Sequence, residues 1–150
     1  MSLFEKIDQD MKEALKTGQK ERLTVLRGLK SELKYKQIEK GGDLTEDDVI
    51  AVLSSLAKKR REAIEQFCLG GRDDLAAKER AELEIINSYL PQQLSDDELR
   101  EMIRQAIDES GADSPQKIGL VMKLVMPRIR GRADGKLVNR MATEMLAKEN

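Results

Sequence analysis

Ser88-Tyr89-Leu90-Pro91-Gln92-Gln93-Leu94-Ser95 interrupts a chain otherwise written in helical periods, and its reading divides the fold. Pro91 fixes its own φ and pushes Leu90 out of helical geometry, so a helix arriving from the N-terminal side must stop nearby. Glu98 stands three residues after Ser95. In that Ser-x-x-Glu arrangement the hydroxyl and the carboxylate satisfy each other's backbone amides at a helix start. One helix ends here and another begins. We expect a boundary between an N-terminal helical domain over 1–90 and a smaller three-helix domain over 95–150.

Upstream of this stretch the periodicity predicts four helices. Ser2 and Glu5 form a capping-box pattern, after which Leu3, Phe4, Ile7, Met11, Ala14 and Leu15 recur at helical spacing until Gly18. A second helix is expected over 21–40, with Leu23, Leu26, Leu33 and Ile38 as buried candidates and Gly41-Gly42 as its stop. The short connection around Gly18 implies that these two lie side by side and antiparallel. Thr45 and Asp48 open a third helix, whose stripe is Val49, Leu53, Leu56, Ile64 and Phe67 and whose stop is Gly70-Gly71. A fourth is expected over 72–89 on Leu75, Ala76, Leu83 and Ile86.

Downstream, the same signals predict helices over 96–110, 115–126 and 135–148. Gly111 ends the first, Ser114 and Pro115 open the second, and Asp134 caps the third. No strand-like alternation of useful length and no repeat is present. The expected class is therefore all-α, a four-helix unit followed by a three-helix unit. Composition agrees: aromatics are only 3% of the 150 residues, so the core has to be aliphatic, and the 37% charged content suits amphipathic helices.

Chemistry is sparsely provided. The chain has no histidine, which removes the commonest general base and the usual partner of a Ser or Cys nucleophile. Its one cysteine, Cys68, falls near a helix C-terminus, where the macrodipole disfavours a thiolate. The glycine pairs match neither GxxxxGK[ST] nor GxGxxG and read as helix stops. We assign no catalytic residue, no metal site, no cofactor and no small-molecule substrate from the sequence. One cysteine, no membrane-length apolar run and a polar N-terminus lead to the expectation of a soluble cytoplasmic protein without membrane association.

Overall charge is balanced, 27 basic residues against 28 acidic, but its distribution is not. Residues 95–114 are acidic, whereas from Pro115 onward eight basic residues face three acidic ones. Two basic stretches exceed what a helical bundle requires. The first, Lys58-Lys59-Arg60-Arg61, reads either as a solvated helix face with an Arg61–Glu65 pair or as a patch reaching RNA phosphates. The second is Met126-Pro127-Arg128-Ile129-Arg130-Gly131-Arg132-Ala133-Asp134-Gly135-Lys136. With Pro127 breaking the preceding helix, an extended segment would point Arg128, Arg130 and Arg132 one way and Ile129 inward. Lys136 follows in the first turn of the next helix, and together they make a phosphate site. The competing reading is a helical corner whose arginines are solvated or pair with the acidic helix between Asp96 and Glu109.

The segments KRREAIEQF (59–67), GGRDDL (70–75), SYLPQQLS (88–95) and above all GRADGKLVN (131–139) resemble the YqeY-like family across essentially the whole chain. That family shares a helical region with the tail of the B subunit of glutamine-dependent aminoacyl-tRNA amidotransferases (GatB). The resemblance implies a helical N-terminal part and a smaller three-helix C-terminal part. It also implies a link to tRNA, which the related tail contacts, while glutamine-dependent amide transfer resides in domains this chain has no room for. Three functions are expected to compete. The leading one is a tRNA-binding accessory protein using Arg128, Arg130, Arg132 and Lys136, with Lys58, Arg60 and Arg61 as secondary contacts. The second is an adaptor docking on a translation-related protein such as a synthetase or amidotransferase component. The third is a transferase on aminoacyl-tRNA working without histidine.

Overall fold

A computed structural model describes residues 1–148, and among them every regular element is helical. The protein is all-α. Its order is α1 (Leu3–Thr17), α2 (Lys20–Lys40), α3 (Glu46–Leu69), α4 (Asp73–Asn87), α5 (Asp96–Ser110), a 3-10 turn (Pro115–Lys117), α6 (Ile118–Ile129) and α7 (Gly135–Lys148). The residues divide into two compact units, one from Met1 to Pro91 and one from Gln92 onward. No helix among the described residues is long and apolar enough to cross a membrane.

Local signals account for most helix ends. At α3 the Thr45 hydroxyl accepts the Asp48 amide while the Asp48 carboxylate accepts the Thr45 amide, and Ser95 and Glu98 do the same at α5. Each pair satisfies two of the donors that a helix N-terminus otherwise leaves without partners. Ser2 Oγ accepts the Glu5 amide at 3.1 Å. Gly18, Gly41 and Gly111 close α1, α2 and α5 in the left-handed region, which side chains with a Cβ avoid. α4 is shorter than its periodicity suggests. It ends at Asn87, and Tyr89 and Leu90 continue as a turn packed into the first core.

That first core gathers Ile7 and Ala14 from α1, Leu26, Leu29 and Leu33 from α2, Val49 and Leu53 from α3, and Ile86 from α4. Two expected core positions are exposed instead: Leu15 at 60% and Ile38 at 78%. Leu15 stands one residue, about 100°, from the buried Ala14, and Ile38 stands five residues, about 140°, from the buried Leu33. Both are rotated off the face that finds a partner. Tyr89 is 4% exposed, and its hydroxyl donates to Asp10 Oδ2 at 2.6 Å. Burial, and then that hydrogen bond to Asp10, push its pKa far above the usual phenol range.

The second core is built from Leu99, Ile103 and Ile107 of α5, Val121, Val125 and Ile129 of α6, and Val138, Ala142 and Leu146 of α7. Here the expected effect of Pro127 has to be corrected. α6 runs through it to Ile129, and the segment that begins as a helix is 118–129, preceded by a separate 3-10 turn at Pro115. A proline removes one intrahelical hydrogen bond, to the carbonyl four residues earlier. Lys123 and Pro127 both lie on the exposed side of α6, where water can take that carbonyl. Ile129, fully buried, holds the last turn onto the core. Arg128 is therefore a helical residue, and the alternating extended strand expected for 128–132 does not form.

Candidate nucleic-acid interface

Four of the seven basic residues singled out above come together on one helical corner of the second unit. Arg128 occupies the last turn of α6, Arg130 is its C-cap in extended geometry (φ −52°, ψ 122°), Arg132 sits in the turn and Lys136 in the first turn of α7. Gly131 makes the turn possible with φ +74°. At Gly135 a Cβ would come within 3.3 Å of the end of the exposed Met126 side chain, the nearest atom to it. The remaining three, Lys58, Arg60 and Arg61, lie on α3 of the first unit.

The corner's cations are not equivalent. Arg128 Nη2 donates to Glu109 Oε2 of α5 at 2.7 Å, so the pairing with the acidic helix takes place at this residue. Both side chains remain substantially open, 39% and 50% exposed, and a pair so exposed is easily exchanged for another anion. Arg132 is turned toward the backbone of a segment 40 residues earlier. Its Nε donates to the Gln92 carbonyl at 3.1 Å, and its charge adds to the hydrogen bonds from Ser95 that hold Glu98 below the usual carboxylate range. Arg130 is exposed. Lys136 is exposed too, and its backbone amide donates to Asp134 Oδ1 at 3.1 Å, which makes Asp134 the cap of α7.

One residue belongs with this group that sequence reasoning passed over. Arg140 is exposed one turn beyond Lys136 on the same face of α7, and neither has an ion-pair partner among the described residues. The i,i+4 spacing from Lys136 was the available signal. Gln93 was also overlooked: its side-chain amide donates to the Gly131 carbonyl at 2.7 Å. No short-range pattern marks that contact.

On α3 the basic run is partly occupied by its neighbour helix. Arg60 Nε lies 3.4 Å from Glu79 Oε2 and 3.1 Å from Glu82 Oε2, both on α4, with angles unsuited to a hydrogen bond. At 30% exposure it is a charge bridge between two helices more than an open phosphate contact. Lys58 and Arg61 are half-buried. Cys68 is exposed, and Arg80 Nη2 donates to its sulfur at 3.2 Å.

A family model described as Yqey-like protein matches residues 4–146. Relatives include a Lachancea thermotolerans protein named Altered inheritance of mitochondria protein 41, mitochondrial, 38% identical over 57% of this chain and 46% of its own length. An uncharacterized protein of Schizosaccharomyces pombe is 34% identical over 59% of this chain and 72% of its own. The like-named mitochondrial protein 41 of Clavispora lusitaniae is 30% identical over 83% of this chain and 74% of its own. The matched region thus spans about half of the first of these proteins and about three quarters of the other two.

Proposed function

The chain belongs to the YqeY-like family, and on that premise we propose that it is a tRNA-binding accessory protein which presents the corner between α6 and α7 to nucleic-acid phosphates. The observation that carries this reading is the exposure of Arg128, Arg130, Lys136 and Arg140 around one helix–turn–helix corner in a protein of nearly balanced charge. Arginine and lysine at such a corner recognise phosphate spacing and not base identity. Only four aromatic residues are present, and none lies beyond Tyr89, so base stacking contributes little and recognition is by shape. The chain works without an active site of its own, and its link to glutamine-dependent amide transfer is one of pathway. Its working compartment is the cytoplasm; the relatives named as mitochondrial make a mitochondrial location the alternative that cell fractionation distinguishes.

Affinity for tRNA measured across a salt series tests this directly. Each phosphate neutralised contributes roughly −0.7 to −0.9 to the slope of log K against log salt. The parent chain is expected to bind with a slope of several phosphates. Lys136→Glu combined with Arg140→Glu should flatten it by roughly two phosphates' worth. No detectable binding at low salt would sink the reading.

A second reading, an adaptor for a synthetase or amidotransferase component, is favoured by one observation. Leu120 and Met126 of α6 are 50% and 40% exposed, two large apolar side chains left open on the helix that leads into the basic corner. Leu120→Glu should abolish a nuclease-resistant association with such a component if this reading holds. Retention of the association after the substitution would remove it.

A further inference from the structure

The stretch around Gln93 and the turn at Gly131, far apart in sequence, are joined by hydrogen bonds that neither the helices nor a phosphate contact requires. The Leu94 amide donates to the Arg132 carbonyl at 2.9 Å, Gln93 Nε2 donates to the Gly131 carbonyl at 2.7 Å, and Arg132 Nε donates to the Gln92 carbonyl at 3.1 Å. Within the turn, the Arg132 amide donates to the Ile129 carbonyl at 2.7 Å. Gly131 lies beyond the C-cap of α6, so no helix amide serves its carbonyl, and Gln93 supplies the donor from a segment distant in sequence. The turn carrying the arginines is thereby tied down at two successive residues.

We infer that Gln93 is a positioning residue for polyanion recognition, acting through the Gly131 carbonyl to hold the α6–α7 turn in its binding geometry. This rests on the proposed tRNA-binding reading. Gln93 is half-buried and uncharged, so it adds nothing to the attraction of phosphates itself. Its effect is to order the turn beforehand, which spares the ligand the entropic cost of ordering it. Arg132 belongs to the same clamp, because its Nε is spent on a backbone carbonyl.

Gln93→Met tests the inference with tRNA as the probe, since it keeps the side chain's length and removes the donor. The expected result is about a tenfold loss of affinity together with a log–log salt slope shallower by roughly one phosphate, although no charge has been removed. The thermal midpoint should fall by only about the few degrees that one lost hydrogen bond costs, leaving the chain fully folded at the assay temperature, and amide exchange at Arg132 and Leu94 should quicken. Unchanged affinity and slope in a parent chain that does bind tRNA would overturn this inference alone. An affinity loss matching only a loss of folded protein, at constant slope, would also overturn it by reducing Gln93 to a structural residue. A parent chain that binds no tRNA would overturn both this inference and the reading beneath it.

Discussion

Arg60 and Arg140 carry the same guanidinium in opposite surroundings. Arg60 of α3 lies against Glu79 and Glu82, and its removal would leave these two α4 carboxylates side by side without the cation that they share. Arg60→Ala should therefore lower stability by about 1 kcal/mol, a figure kept small by the solvent that reaches all three groups. It should leave the salt slope of tRNA binding unchanged. Arg140→Ala should do the reverse: stability within about 0.5 kcal/mol of the parent, and a slope reduced by roughly 0.9. Unfolding curves and salt titrations of the two variants give the comparison. A different residue-scale effect belongs to Asp48, whose pKa is lowered to about 2, first by the Lys40 ammonium and then by the Thr45 amide of its capping box. Its folded pKa lies below its unfolded value near 3.8, so its stabilisation is complete above about pH 4 and is lost as pH falls toward 2. Thermal midpoints of Asp48→Asn followed between pH 5 and 2 should show a flatter acid limb than the parent.

Among the helices, α5 and α6 show how far local signals reach. The Ser95–Glu98 box was legible because all its atoms lie within one helical turn, and Ser95→Ala should cost about 1 kcal/mol in the unfolding of the second unit. Pro127 misled for the same reason that Ser95 informed. A proline's local preference is against the helix, but three buried residues of α6, Val121, Val125 and Ile129, outweigh one missing hydrogen bond at its exposed side. Pro127→Ala restores that bond and should raise the second unit's stability by about 1–3 kcal/mol. A decrease would show that the proline's rigidity, and not Ile129, terminates α6 correctly. The displaced positions Leu15 and Ile38 make the complementary point. Their types fit a core, but a helix buries only the face that meets a neighbour, and the neighbour's position is not written in the helix itself.

For the whole molecule, two aliphatic cores account for the architecture, and the charge pattern accounts for what the surface can attract. Leu53, fully buried in the first unit, should cost about 2–5 kcal/mol when truncated to alanine, and unfolding followed by far-UV dichroism would measure it. The near-neutral net charge of −1 means that any steep salt dependence must come from a local group of cations rather than from bulk attraction. The amino-acid order by itself determined the helical class, most helix starts and stops and the aliphatic cores, because caps and periods act over four residues or fewer. Tertiary structure alone decided which cations stay open. Arg128 meets Glu109 across 19 positions, Gln93 reaches Gly131 across 38, and Arg132 reaches Gln92 across 40. Long, flexible side chains find such partners only once distant helices have been packed together, so the basic corner could be located in the sequence while the division of labour within it could not.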